Sequence, residues 1–170
     1  MAGLAYSATI VVGLHCVELS ECGPGNENTR VLEARIDGQP LGELKLLASF
    51  FPSFAVAHEG HPDLVIWTEA EVYLLRIEEK LVKFYDHSDA VHAAYAFGEH
   101  WCLVGDASVV LVDLLQGVEI LRYDHDEIFT SSAWEGSKLI VGDLQGRVFR
   151  FESLDPSQNV LRPVAQAVAG

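Results

Sequence analysis

The sequence predicts an all-β fold built of four-stranded antiparallel sheets, and three observations support this class. Short segments rich in Val, Ile, Leu, Tyr and Phe recur about every 8–12 residues, separated by turns rich in Gly, Asp, Glu and Ser. No long stretch has the 3.6-residue periodicity of an amphipathic helix. A sequence unit of about 38 residues repeats, and a unit of that length accommodates four short strands.

The N-terminal region, residues 1–53, contains three strand-like segments at 8–19, 29–37 and 42–50. A Gly-, Asn- and Glu-rich loop separates the first two segments, and the Asp-Gly pair at 37–38 is typical of a tight hairpin turn. We therefore expect the chain to begin with a set of β-hairpins.

Nine more strands are expected between the N-terminal hairpins and the C-terminal tail. They lie at 63–67, 71–77, 80–85, 91–97, 101–105, 108–114, 117–123, 138–142 and 147–151. With the hairpins they make about three and a half four-stranded sheets, the third repeat lacking its outer strand. We expect one all-β domain over 1–170, with repeats in 54–151 and a tail in 152–170 that covers a sheet, acts as a linker or is disordered.

The repeat is clearest in two short motifs. The Tyr-Asp-His at 85–87 recurs 38 residues later at 123–125, and the Val-Gly-Asp at 104–106 recurs 37 residues later at 141–143. Four strands in such a unit resemble a blade of a β-propeller of the WD40 or kelch-like kind. The resemblance covers 54–151 and lacks the Gly-His and Trp-Asp pairs of WD40 blades. It implies a half or open β-propeller, and a small closed propeller-like barrel is the alternative.

The composition excludes several classes of function. The chain has 25 acidic and 11 basic residues, a formal net charge of −14, which argues against binding to nucleic acid or to an anionic membrane. No apolar run is long enough for a transmembrane helix. Three cysteines, Cys16, Cys22 and Cys102, fit a reducing compartment, although a Cys16–Cys22 bridge is an alternative. We expect a cytoplasmic protein.

No catalytic or metal-binding motif is present, so we expect no enzymatic activity, cofactor or metal. His58 and His61 have ligand-like spacing but lack a third ligand. His87 and His125 belong to the repeated Tyr-Asp-His, which favours a structural role over the alternative of a small hydrolase that uses them. Cys102 lies within an apolar segment and is expected to be buried.

The acidic residues are concentrated in the repeats. Residues 84–137 hold ten acidic residues and one basic residue, and most of the acids fall in predicted turns. Equivalent turns of a repeat fall on the same side, so these turns should form one acidic face, with Asp106, Asp143 and Glu69 at the opposite hairpin ends. A solvated surface that only aids solubility is the alternative. The candidate partner-binding residues are Asp86, Asp89, Asp124, Asp126, Glu127, Trp134 and Glu135.

The profile of a small, acidic, all-β chain without catalytic motifs resembles the immunity proteins of bacterial contact-dependent growth inhibition and other polymorphic toxin systems. The resemblance is one of profile and transfers no residues. It implies a protein that neutralises a cognate toxin, a basic nuclease, by covering its active site with an acidic surface. The protein would act as a monomer or in a 1:1 heterodimer. The alternative is a propeller-type scaffold that binds a peptide or another subunit.

Overall fold

The chain is all β, as predicted. The computed structural model describes residues 5–23, 28–47, 51–57, 62–152, 163 and 165–168, and these residues form sixteen strands and no helix. The strands make four four-stranded antiparallel sheets, each with sequential strands as neighbours. The first and last strands of each sheet do not pair with each other, so no sheet is a closed barrel. The chain divides into two compact units, Met1–His87 and Ser88–Gly170.

The first unit contains two sheets. The first sheet consists of β1 (Ser7–Val12), β2 (His15–Glu21), β3 (Thr29–Ile36) and β4 (Gln39–Leu47). The second consists of β5 (Ser53–Ala57), β6 (Asp63–Thr68), β7 (Glu71–Arg76) and β8 (Leu81–Asp86).

Burial in the first sheet alternates along each strand, as a half-buried strand requires: Val17 and Leu19 are buried in β2 and Leu44 and Leu46 in β4. The Tyr73 hydroxyl of β7 donates to the Lys45 carbonyl of β4 at 3.0 Å, which ties the two sheets together.

The predicted Asp-Gly turn between β3 and β4 is confirmed. Asp37 and Gly38 both have positive φ, 49° and 78°, as the favoured two-residue hairpin turn requires. The Asp37 carboxylate accepts hydrogen bonds from the Cys16 amide and from His15. The hydrogen bonds from the Cys16 amide and from His15 favour the ionised carboxylate, so the pKa of Asp37 lies below its usual value.

The second unit also contains two sheets. The third sheet of the chain consists of β9 (Val91–Phe97), β10 (His100–Gly105), β11 (Ser108–Asp113) and β12 (Val118–Asp124). The fourth consists of β13 (Phe129–Glu135), β14 (Lys138–Asp143), β15 (Arg147–Phe151) and β16 (Ala165–Val168). An aromatic-rich core lies within this unit, and its most buried large side chains include Phe129 and Phe151.

The structure adds to the predicted strand count in two places. The N-terminal hairpins form a complete four-stranded sheet, and residues 165–168 of the expected tail pair with β15 as the fourth strand of the last sheet. The chain therefore has four sheets where the sequence predicts about three and a half. The segment Ala-Gln-Ala-Val lacks strand patterning, and pairing with the open edge of β15 makes it a strand.

The repeat is confirmed at the level of single backbone bonds. The His87 amide donates to the Ala70 carbonyl and the His125 amide to the Ala107 carbonyl, both at 2.8 Å. The strands β5, β9 and β13 begin 38 residues apart, at Ser53, Val91 and Phe129.

The three cysteines are free. Cys102 is fully buried, as predicted, and burial raises the pKa of its thiol to about 12. Among the residues that the structure describes, no helix is long and apolar enough to cross a membrane. His58 and His61 lie outside the described residues.

Candidate functional site

One end of the second unit collects most of its turn carboxylates. In a four-stranded antiparallel meander the entry to the first strand, the central turn and the exit from the last strand lie at the same end. Here these are the segment before β9, the β10–β11 turn, the β12–β13 connection and the β14–β15 turn. We call this the acidic end, and its carboxylates are Asp89, Asp106, Asp124, Asp126, Glu127 and Asp143. With Arg122 and Arg147, its formal charge is −4.

Two of these carboxylates lie at the β10–β11 turn. Asp89 accepts hydrogen bonds from the Ala107 amide and the Ser108 hydroxyl, both at 2.9 Å. Its carboxylate occupies the space that a β-carbon on Gly105 would need, so a larger residue at this position would displace the Asp89 side chain. Asp106 pairs with the exposed His92 side chain. The Phe129 amide donates to the Asp106 carbonyl at 2.7 Å, which places β13 directly beside this turn.

Asp143 is a buried structural carboxylate at the β14–β15 turn. One oxygen accepts the Gln145 and Arg147 amides at 3.0 and 2.8 Å. The other accepts the Arg147 Nε at 2.6 Å and bonds His125 Nε2 at 3.0 Å. The His125 ring stacks on Phe129 with centroids 5.0 Å apart. His125 therefore has the structural role that the repeat predicts.

His87, the equivalent of His125 in the first unit, is also buried and contacts the Tyr85 ring. Both repeated histidines are thus packed beside aromatic rings within their own units.

The environment of Asp143 leads to a specific prediction of how stability depends on pH. Burial opposes its ionisation, but the hydrogen bonds from His125 and Arg147 and the charge of Arg147 outweigh burial and lower its pKa from 3.8 to about 2. A lowered native pKa stabilises the fold above the unfolded pKa, and this contribution is lost as the pH falls from about 4 to about 2. Asp143→Asn should therefore lower the Tm of the second unit at pH 6. The Tm gap from the wild type should narrow between pH 4 and pH 2, and a constant gap would contradict the assignment.

Three further carboxylates of the acidic end are held in place by polar contacts; Asp124 and Asp126 are exposed, and Glu127 is half-buried. The side chains of Asp124 and Asp126 are 71% and 79% exposed, and they lie 3.0 Å from Arg122 and 3.3 Å from Arg147 respectively. Glu127 accepts a hydrogen bond from the Gln145 side chain at 2.6 Å.

Arg122 orders this part of the surface. It also bonds Glu119 and the Ser88 hydroxyl, so it is held from several sides. The hydrogen bond with Glu119 is the main reason that the pKa of Arg122 is raised.

The structure brings Asp89, Asp124, Asp126 and Glu127 of the predicted partner-binding residues to this one end. Asp86 is exposed at the end of β8 in the first unit. Trp134 and Glu135 lie at the far end of β13, roughly 17 and 20 Å from Phe129 at about 3.3 Å per residue. There Trp134 is half-buried and stacks on Tyr95 with ring centroids 5.6 Å apart.

The expectation that Asp106 and Asp143 lie at the opposite hairpin ends is wrong. Asp106 is adjacent to Ala90, and Asp143 bonds His125, so both belong to the acidic end. The reason is parity: after an even number of antiparallel strands the chain returns to the end from which it started. The sequence-based assignment treated the β10–β11 and β14–β15 turns as the far ends.

Two features of this end were missed by the sequence analysis. A surface cavity of about 260 Å³ is lined by His92, Val104, Phe129, Thr130, Ser131 and Ser132. Two exposed aliphatic side chains, Ile128 and Leu144, lie in the turns beside it. Apolar residues inside otherwise acidic turns are the signal that points to this pair. In the part of the chain that the structure describes, no three His, Cys, Asp or Glu side chains are grouped to hold a metal ion.

Comparison with known proteins identifies the fold and not a family. No protein-family model matches the chain, and no curated protein matches it. One similar structure is a chain of the mitotic checkpoint complex, with a TM-score of 0.59 and 14% identity over 99% of this chain and 64% of that one. The WD40 domain of Toxoplasma gondii coronin has a TM-score of 0.56 and 12% identity over 91% of this chain and 43% of that one.

BamB from Moraxella catarrhalis is also similar, with a TM-score of 0.56 and 9% identity over 95% of this chain and 63% of that one. The chain thus spans about 43–64% of the length of these structures. The likeness, together with four open four-stranded antiparallel sheets, shows that this chain has a propeller-type all-β fold.

Proposed function

We propose that this chain is a protein-binding module whose acidic end engages a basic surface of a partner protein. The observation that carries the proposal is a set of three carboxylates oriented by hydrogen bonds at one end of one unit: Asp124 and Asp126, which are exposed, and Glu127, which is half-buried. Clustered charge of one sign raises the rate of encounter with an oppositely charged partner. Prior ordering of the side chains reduces the entropy lost on binding.

The remaining predicted contacts are not members of this set. Asp86 in the first unit and the Trp134–Glu135 pair at the far end of β13 stay predictions for further partner contacts. The structural likeness supports a binding role in general terms, because one of the similar structures is by its description part of a multi-protein complex.

A narrower form of the proposal is that the partner is a basic nuclease toxin and that this chain is its cytoplasmic immunity protein. The net charge of −14 supports this form, because carboxylates can occupy the sites where a nuclease holds phosphates. Its competitor is a scaffold that binds a peptide or another subunit. A partner that degrades nucleic acid alone and is inhibited in a 1:1 complex would support the immunity role. A partner without such activity would reject it.

Neutralising the three carboxylates is expected to slow association. The variant Asp124→Asn, Asp126→Asn, Glu127→Gln should bind a partner co-purified from native cytosol with an association rate constant roughly tenfold lower at low salt. The wild-type rate should fall as ionic strength rises, because salt screens exposed charges. Surface plasmon resonance over a salt series measures both effects.

The matched control neutralises three acids of the first unit: Glu18→Gln, Glu43→Gln, Glu78→Gln. It makes the same change in net charge, and all three side chains are exposed. An equal loss of rate in both variants would show that only net charge matters. A rate that ignores both the substitutions and salt would reject the acidic end as the binding surface.

A further inference from the structure

Two residues with exposed aliphatic side chains are joined by a backbone hydrogen bond within the acidic end. Ile128 and Leu144 are 49% and 66% exposed. They flank the β13–β14 hairpin, whose terminal pair is Phe129 with Asp143. The Leu144 amide donates to the Ile128 carbonyl at 2.9 Å, so the two residues are adjacent in space although they are sixteen residues apart in sequence. Single exposed aliphatic residues are common on protein surfaces, but an adjacent pair in polar turns needs a reason.

The preceding repeat shows that the fold does not require this apolar pair. There the Asp106 amide donates to the Ala90 carbonyl, also at 2.9 Å and 38 residues earlier at both positions. The same backbone contact is thus made with a small residue and a charged residue. Neither residue of the Ile128–Leu144 pair is selected by the geometry of the turn itself.

Carboxylates surround the pair. Asp126 and Glu127 directly precede Ile128, and Glu127 is bonded to Gln145, the residue after Leu144. Asp126 is bonded to Arg147 on the same turn and remains largely exposed. An apolar centre with a charged rim is the usual anatomy of a protein–protein contact. The acidic rim calls for a basic partner, whereas a second copy of this chain, with its charge of −14, would be repelled.

We propose that Ile128 and Leu144 form the anchor site for a basic segment of the partner, one that places an aliphatic side chain between lysines or arginines. The inference rests on the proposed function and names the chemistry of the partner. Charge brings the segment to the acidic end, and burial of its aliphatic side chain against the pair slows its dissociation.

The probes are two short peptides: one has a leucine flanked on both sides by arginines, and the other has alanine in place of the leucine. The decisive variant is Leu144→Asp, which copies the residue of the preceding repeat. It adds a negative charge and removes the apolar side chain. We expect Leu144→Asp to weaken binding of the leucine peptide about tenfold and to leave binding of the alanine peptide equal or tighter. Titrations followed by ¹⁵N–¹H NMR measure affinity, location and fold together.

The matched control is Val118→Asp. Val118 is 54% exposed and begins β12, at the other end of the same unit. Val118→Asp therefore also replaces an exposed aliphatic side chain by a carboxylate, but away from the pair. It should bind both peptides as the wild type does.

Unchanged or tighter binding of the leucine peptide by Leu144→Asp would overturn the anchor site while the acidic-end proposal stands. Absence of binding of both peptides to the wild type would overturn the acidic-end proposal as well. If the Leu144→Asp substitution, without peptide, shifts the NMR signals of residues 153–162, the pair is covered by the chain's own segment and not by a partner. That result would also overturn the inference.

Discussion

Replacing Phe129 by alanine is expected to destabilise the second unit by about 3–5 kcal/mol, the usual cost of removing a buried phenylalanine ring. The Phe129 side chain is 1% exposed. It stacks on His125 and lies edge-on to Phe149 with a ring-centroid distance of 6.2 Å. Its loss leaves a cavity and removes the surface that positions His125 against Asp143. Destabilisation should therefore include the β14–β15 turn.

The change is best measured by hydrogen exchange of second-unit peptides along a urea series, because a chain of two compact units need not unfold in one step. The neighbouring Ile128→Ala is the control, and its cost should stay within about 0.5 kcal/mol because the side chain is half exposed. Similar costs for the two substitutions would show that Phe129 is not a core residue. Greater exchange in peptides of the first unit would place the effect outside the unit predicted here.

Replacing Asp63 by alanine should destabilise the first unit by roughly 3 kcal/mol, since it leaves a largely buried guanidinium with fewer partners. Asp63 and Arg76 are paired across β6 and β7, and the Arg76 Nε lies 3.3 Å from an Asp63 oxygen. The side chains of Arg76 and Asp63 are only 12% and 9% exposed. Arg76 retains an ion pair with Glu79 at 3.5 Å. We therefore expect a loss of stability at the low end of the range for breaking a buried ion pair.

A double variant separates the ion pair from the packing around it. Asp63→Leu with Arg76→Leu should be at least as stable as the wild type, because an apolar pair has no charge to desolvate. The third sheet shows that the fold accommodates an apolar pair in these two strands, since its β10–β11 pair of Trp101 and Val112 is apolar and buried. Urea unfolding read from first-unit peptides tests both variants. A double variant as unstable as Asp63→Ala would show that the charges themselves are needed.

The strands were predictable because their local signal is strong. Mostly apolar segments such as 63–67 and 101–105 correspond to β6 and β10, and the Asp-Gly pair at 37–38 forms the expected turn. The equivalence of His87 and His125 was also readable, because a repeat imposes the same backbone bonds on the same motif. The segment that forms β16 could not be predicted as a strand, because its pairing depends on the open edge of β15, which ends fourteen residues earlier.

The candidate site was only half predictable. The sequence by itself determined the fold class, the repeat and the excess of acidic residues in turns, because each is a local or periodic property of the chain. The tertiary structure decided which turns meet: Asp106 and Asp143 join the acidic end, and Trp134 with Glu135 falls at the far end of β13. It also placed Ile128 beside Leu144. Adjacency of this kind follows from strand pairing, in which the two ends of a hairpin meet whatever residues they carry.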